Sequence, residues 1–289
     1  MNVGVAGAGA MGMGVVRSAL RGGFATHVRD IRAGVHDEAS RLGATCHPSP
    51  ASLARACDAV VILVVDSAQV EEVLFGPEGI AGSGARPTVL LGSTIAPGDA
   101  ASFAQRLADV GIDAIDAPVS GGPQRAADGT MTVMLSGAPP AIARCESLLR
   151  AVAGKVFVVG TRPGDAAKFK IVNNMLAAAN LAAAAEAMAI AERAGLDRKL
   201  VHDVIAASSG ASWIFADRIP RALADDYAPR AATRILCKDV GLAVELAREA
   251  GVEAAMARAA QRAFQGAVDD GFAEQDDASI VEWHRTQRT

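Results

Sequence analysis

Residues 160–195 read GTRPGDAAKFKIVNNMLAAANLAAAAEAMAIAERAG, and this stretch divides the chain into two unlike halves. Before it, short apolar runs alternate with helical spacing; after it, only helical spacing remains. Alanine is the best helix former, so the stretch predicts one long central helix, with Gly195 as its stop signal. On that helix Lys170 and Asn174 stand four residues apart. They are offset by only ~40° around the axis, so an amine and an amide project from the same face. Lys168 lies ~240° from Asn174 and faces elsewhere. Taken alone, Lys170 reads as a solvated surface lysine, as most lysines are. The rest of the sequence changes that reading.

The apolar run at residues 3–6 ends in Gly7-Ala8-Gly9-Ala10-Met11-Gly12, and MGVVRSALRGG follows with helical spacing. This is GxGxxG between a strand and a helix. The first glycine permits the tight turn, the second lets the backbone approach a pyrophosphate, and the third lets helix and strand pack closely. The helix amino terminus offers its unpaired N–H groups to phosphates. A second strand-like run, Ala25 to Arg29, ends at Asp30. An acidic side chain there accepts hydrogen bonds from ribose hydroxyls and repels a 2′-phosphate, which favours NAD. Arg29 and Arg32 pull the other way, because a nearby arginine can hold that phosphate, so NADP stays open. As a helix cap, Asp30 would be purely structural.

The alternation continues through residues 58–65 (DAVVILVV), 88–91, 112–117, 131–135 and 156–159. Strands separated by helix-length segments imply βαβ units and a doubly wound parallel sheet. Ligands of such sheets lie beyond the carboxyl ends of the strands. There the sequence places Gly7 to Gly12, Ser93-Thr94, and Ser120-Gly121-Gly122. The double glycine suits a tight turn and equally suits N–H groups closing on a carboxylate.

The expected organisation is therefore a Rossmann-type α/β domain at residues 1–163 and an all-α domain at 164–289, joined by the long central helix. Helices are expected near 198–207, 211–223, 232–250, 253–268 and 279–286. Lys238-Asp239 interrupts an apolar helical pattern, and a cation buried there needs an anion. Trp213 suits either a pocket wall or the core.

At 289 residues the chain is long enough for two domains, and its hydrophobic share of 51% with 4% aromatics makes it globular. A net charge of −4 without runs of like charge argues against nucleic acid or an anionic membrane as partner. Cys46, Cys57, Cys145 and Cys237 are far apart and read as buried thiols, and the scattered histidines show no metal spacing. No apolar run is read as a membrane span, since Asn180 and Glu186 interrupt the alanine stretch. No targeting segment is read at Met1, so the expectation is a soluble cytoplasmic protein.

These pieces, in this order, resemble the β-hydroxyacid dehydrogenase family, which includes 3-hydroxyisobutyrate dehydrogenases, tartronate semialdehyde reductases and 6-phosphogluconate dehydrogenases. The motifs are Gly7 to Gly12, Ser93-Thr94-Ile95, Asp116-Ala117-Pro118-Val119-Ser120-Gly121-Gly122, the Lys170 to Asn174 spacing, and Lys238-Asp239. The resemblance implies that Lys170 is the general acid/base and that Asn174 holds the substrate. It implies that Ser120, Gly121 and Gly122 bind a small substrate's carboxylate, and that Lys238 reaches the ligand cleft. It further implies NAD or NADP in the glycine loop, with Gly7, Gly9, Ala10, Met11, Gly12, Asp30, Val64, Val65, Thr94 and Lys238 as contacts, and no metal. Small residues on the helical surface suggest a homodimer or homotetramer. The loop before the lysine departs from the family's GxGxxxK, which makes Lys168 a rival; the helix-face argument favours Lys170. Read from Asp276, the family's Asp-x-Ser spacing fails at Ala278, and no role is assigned there. A non-catalytic dinucleotide-binding module would keep the fold without the chemistry, and the presence of Lys170 counts against it.

Overall fold

The computed structural model describes residues 1–287. The chain divides into two compact units, one ending at Lys170 and the other beginning at Ile171. The first thus extends past residue 163, where the sequence places the boundary.

The first unit holds β1 (Asn2–Ala6), β2 (Ala25–Arg29), β3 (Thr45–Cys46), β4 (Ala59–Ile62), β5 (Thr88–Leu91), β6 (Ala114–Asp116), β7 (Val119–Ser120), β8 (Met131–Ser136) and β9 (Ala153–Gly160). Between them run α1 (Ala10–Arg21), α2 (Ala33–Arg41), α3 (Pro50–Ala56), α4 (Ser67–Phe75), α5 (Pro97–Asp109), α6 (Gly122–Asp128), α7 (Pro139–Arg144) and α8 (Glu146–Val152). Among the described residues the strands form one sheet ordered β3-β2-β1-β4-β5-β6-β8-β7, with β9 paired to β8. Strands β1 to β6 are mutually parallel where they pair. In β4 every residue is buried, and its neighbours point alternately to two cores. Val61 joins Val5, Val28 and Leu135 on one side, while Val60 and Ile62 join Leu74, Leu91 and Leu107 on the other. That period of two on a fully buried strand is the signature of a sheet covered on both faces.

The departure from an all-parallel sheet lies at β8, which is antiparallel to β6 and β7. The link between β7 and β8, residues 121–130, is short for a parallel crossover, which needs a dozen or more residues. Strand β9 returns to parallel pairing with β8, and its exposed Val156, Phe157 and Val158 show that an apolar run in the sequence need not be a core strand.

Helix α9 (Asp165–Arg193) leaves the first unit at Lys170 and continues as the core helix of the second. There Ala178, Leu181, Ala185 and Met188 pack with residues of α11 (Trp213–Leu223), α12 (Thr233–Glu249), α13 (Ala255–Ala267) and α14 (Ile280–Thr286). Helix α10 (Arg198–Ala206) adds Val201 and Ile205 at the margin. Gly195 ends α9 at φ 78°, where Leu196 N donates to Ala191 O and Gly195 N to Glu192 O. This is the left-handed cap that glycine makes without strain. One expectation needs correction: α9 is long and apolar enough by length and hydropathy to cross a membrane, with 39% of its most apolar window buried. Alanine raises the mean enough to outweigh Asn180 and Glu186. Its packed face identifies it as a core helix.

Candidate active site

The glycine turn is built as its sequence requires. Gly7 has φ 86°, and a Cβ on it would meet Leu63 O at 2.7 Å. A Cβ on Gly12 would meet Gly7 O at 2.1 Å, so only glycine lets α1 start this close to the turn. In front of Gly9 the nearest atom to such a Cβ is the Arg32 guanidinium at 3.6 Å, which leaves the backbone open to a ligand. Ala10 opens α1 and Met11 follows it, half-buried against the core. This cradle fits a pyrophosphate, with unpaired N–H groups at the first turn of α1. A cleft of about 390 Å³ lies beside it, lined by Ala8, Gly9, Ala10, Arg17, Arg32 and Gln124 among others.

Asp30 closes β2 nearly buried, and its carboxylate reaches back to the turn: Ala8 N donates to Oδ2 at 2.9 Å. Arg32 donates to Oδ1 from both its backbone N and its Nε, and to Oδ2 from a guanidinium Nη. Burial alone would raise the Asp30 carboxyl, but the Arg32 guanidinium and the backbone N–H groups of Arg32 and Ala8 hold it below the usual range. The second arginine flagged in the sequence, Arg29, turns onto the Asp30 carbonyl instead. Asp30 therefore braces the glycine turn.

At the neighbouring strand ends Val64 N donates to the buried Ser93 Oγ at 2.9 Å, tying the end of β4 to that of β5. Val64, Val65 and Thr94 are half-buried there. Ser120 ends the short strand β7, opposite Thr132, and Gly121 and Gly122 follow at φ 126° and 77°. Both glycines sit in conformations other residues rarely adopt, and a Cβ on Gly122 would meet nothing within 4 Å. The loop then enters α6, which lies hard against α1: a Cβ on Gly14 would meet Ala126 Cβ at 2.5 Å. Gly14, unremarked in the sequence, thereby sets how closely the serine-glycine loop approaches the glycine turn.

The two lysines at the start of α9 separate clearly. Lys168 is half-exposed, with Nζ 3.0 Å from Asp165 Oδ1. Lys170 is only 9% exposed. In the second unit, Asn174 Nδ2 donates to Asp239 Oδ2 at 2.6 Å, and Asn173 Nδ2 donates to Asn174 Oδ1. Lys238 Nζ donates to Asp239 Oδ1 at 2.6 Å. The buried Asp239 is thus the anion that Lys238 needs, and the same carboxylate fixes the orientation of the Asn174 amide. Sequence spacing names Lys238-Asp239 and Asn174 separately; nothing in it joins them. Trp213 stands half-exposed at the start of α11, outside the core.

Two sequence readings are corrected here. The family's Asp-x-Ser spacing is present after all, starting one residue later, at Asp277: this buried aspartate pairs with Arg218, and Ser279 Oγ lies 3.2 Å from Thr233 Oγ1. Of the four cysteines only Cys145 is fully buried; burial pushes its thiol up to about 11 and that of the half-buried Cys57 up to about 12. Among the described residues no group of three histidine, cysteine or acidic side chains could hold a metal ion.

A doubly wound sheet with this turn at its first strand defines a dinucleotide-binding protein, and the inward Lys170 adds a candidate acid/base. Residues 2–160 match the NAD binding domain of 6-phosphogluconate dehydrogenase. Residues 164–284 match the NAD-binding of NADP-dependent 3-hydroxyisobutyrate dehydrogenase. L-threonate dehydrogenase of Cupriavidus necator is 42% identical over 97% of this chain and 95% of its own length. The crystal structure of 3-hydroxyisobutyrate dehydrogenase from Salmonella typhimurium is similar with a TM-score of 0.93 at 38% identity, covering 98% of this chain and 99% of that one. A solved structure of Psf3 in complex with NADP+ and 2-OPP has a TM-score of 0.90 at 28% identity, covering 97% and 99%. The chain belongs to the β-hydroxyacid dehydrogenase family, as an NAD(P)-dependent oxidoreductase of hydroxy acids.

Proposed function

We propose that the chain is an L-threonate dehydrogenase that prefers NAD, with Lys170 as general acid/base. The observation that carries the substrate is the 42% identity, over nearly the full length of both chains, to the L-threonate dehydrogenase of Cupriavidus necator. Stretches such as VVDSAQVEEVLFGPEGIA, SWIFADR and DYAPRAATRILCKDVGLA also have the texture of the bacterial enzymes of that name.

In the oxidative direction the bound dinucleotide supplies the acceptor for the hydride of the carbinol carbon. The residues do the rest. An amine within hydrogen-bond reach of the hydroxyl takes its proton as the carbonyl forms, and returns it in the reverse direction; Lys170 is that amine. Ser120, Gly121 and Gly122 fix the substrate carboxylate, and Asn174, its amide held by Asp239, orients the substrate. Asp30 takes the ribose hydroxyls. Because Arg32 already neutralises Asp30, discrimination against NADP is modest.

The test is NAD reduction by purified protein with L-threonate, D-glycerate, 3-hydroxyisobutyrate and 6-phosphogluconate, each repeated with NADP. L-threonate with NAD should give the highest kcat/KM. A higher value with another acid would discard the substrate and keep the family, and a higher value with NADP would discard the role given to Asp30.

The same proposal includes a homodimer or homotetramer in the cytoplasm. Val172, Leu176 and Ile190 on α9 are each more than half exposed, an apolar face of the kind a second copy covers. A light-scattering mass equal to one chain would remove that part.

A further inference from the structure

Asp116 is the last residue of β6 and is 1% exposed. One oxygen of its carboxylate collects three hydrogen bonds: from Gly164 N at 2.8 Å, from Ala167 N at 2.9 Å and from Ser136 Oγ at 3.2 Å. Ser136, the last residue of β8, in turn accepts from Ala166 N at 2.9 Å. Gly164 immediately precedes α9, and Ala166 and Ala167 lie in its first turn, where N–H donors have no partner within the helix. Two buried side chains from two strand ends therefore satisfy the amino terminus of this helix. A third element seats it: Gly164 has φ 97°, and a Cβ there would meet Pro97 O, at the start of α5, at 2.6 Å.

This clamp is more elaborate than a helix cap requires. An ordinary cap comes from the residue just before the helix, as Ser212 serves α11 and Asp197 serves α10. Here the acceptors come from 30 to 51 positions away in sequence. They also lie at both ends of the chemistry assigned above. Lys170 follows Ala166 by one helical turn, on the same buried face as Ala166 and Ala167. Four residues after Asp116 comes Ser120, the first residue of the serine-glycine loop. One carboxylate joins the strand leading to the carboxylate-binding loop to the helix bearing the acid/base.

We propose that Asp116, assisted by Ser136, is a positioning residue that sets the rotation and depth of the first turn of α9, and with it the placement of Lys170 relative to the Ser120–Gly122 loop. The proposal rests on the acid/base reading of Lys170. Asp116 touches no reacting atom. It acts through the backbone of Gly164 and Ala167. The geometry is consistent with an ionised carboxylate, since all three partners donate to it and the positive end of a helix dipole faces it. Burial pulls the other way, raising the Asp116 carboxyl above its ordinary range, against the lowering by the N–H groups of Ala167 and Gly164 and by Ser136.

The experiment compares Asp116→Ala, Asp116→Asn and Ser136→Ala in the full chain, measuring kcat, the KM for NAD and for the hydroxy acid, and NAD binding by fluorescence. A displaced acid/base costs on the order of 100-fold in rate, so Asp116→Ala should lower kcat by about that factor while NAD affinity stays within about threefold. Asp116→Asn keeps an acceptor oxygen at the same place and should recover turnover to within about tenfold of the native protein. Ser136→Ala removes one acceptor and should lower kcat several-fold; being the milder change, it reports even if Asp116→Ala does not fold. Combining Asp116→Asn with Lys170→Met should then cost nothing beyond Lys170→Met alone, because the two act by one route.

Native kcat in Ser136→Ala and Asp116→Ala, or NAD affinity falling in step with kcat, would overturn the proposal while leaving Lys170 in its role. Turnover surviving in Lys170→Met would overturn the acid/base reading itself and the route built on it.

Discussion

Lys170→Ala lowers kcat by about 10²- to 10⁴-fold, the range expected when a general acid/base is removed, while the affinity for NAD changes by less than about threefold. The expectation follows from what surrounds the residue. Lys170 is 9% exposed, on a helix start pinned by Asp116 and Ser136, so its side chain is largely withdrawn from solvent. The glycine turn and Asp30, the proposed dinucleotide contacts, are built from other strands and do not depend on the lysine. Steady-state kinetics at saturating NAD, with cofactor binding measured separately, give both numbers. Lys168→Ala is the matched control. That lysine is exposed and pairs with the nearby Asp165 in a surface contact worth little, so its kcat stays within about twofold of native. A small primary amine added to Lys170→Ala restores part of the rate, because the cavity left by the side chain admits a free base. Equal loss in the two variants, or loss of NAD binding with Lys170→Ala, would show that the helix start and not the amine is what matters.

That the two lysines face different ways is legible in the sequence, and the reason is geometric. A helix turns by a fixed angle per residue, so the spacing to Asn174 by itself puts Lys170 and Lys168 on different faces. GxGxxG is legible for the same kind of reason: each glycine answers a local steric demand, and the strand before it and helix after it can be read from short apolar patterns. The buried strands β4 and β5 are legible because a strand covered on both faces is apolar throughout.

What is not legible depends on distance along the chain. β3 is two residues long and β7 another two, too short for any period, and both exist because a longer neighbouring strand offers them an edge. The antiparallel entry of β8 is decided by the shortness of residues 121–130, while its own composition is that of any buried strand. Asp239 meets Asn174 across 65 positions, and Asp116 meets Ala167 across 51. Spacing rules reach one or two turns; contacts of this range depend on how the elements pack. In the sequence Asp116 is only the first letter of DAPVSGG, and its role as the acceptor for a helix start appears only once β6, β8 and α9 are assembled. Two adjacent aspartates offer two registers for the Asp-x-Ser spacing, and only the one starting at Asp277 reaches a serine, Ser279; both aspartates are buried.

Those two aspartates carry the largest expected effect on stability. Asp277 is 2% exposed and faces Arg218, which is 8% exposed and donates to both of its oxygens from Nε and Nη2. Burial works against the Arg218 charge, yet Asp277, Asp217 and Asp276 together hold its guanidinium above the ordinary value. Asp276, also buried, accepts from Arg230 N and Ala231 N and receives Arg221. The cluster thus locks α11 to the turn before α14 and to the segment leading into α12. Arg218→Met leaves Asp277 buried without its counter-charge and should cost about 3–5 kcal/mol, whereas the double variant Arg218→Met, Asp277→Leu removes both charges and should recover most of that loss. The measurement is urea unfolding followed by tryptophan fluorescence. Both tryptophans, Trp213 and Trp283, lie in the second unit, so the transition reports on the unit that holds the pair. With m held constant, the single variant should unfold at lower urea and the double variant near the native midpoint. A single variant with an unchanged midpoint would mean that Asp277 finds a proton or water in place of Arg218. A double variant as unstable as the single would mean that the lost hydrogen bonds, and not the stranded charge, set the cost.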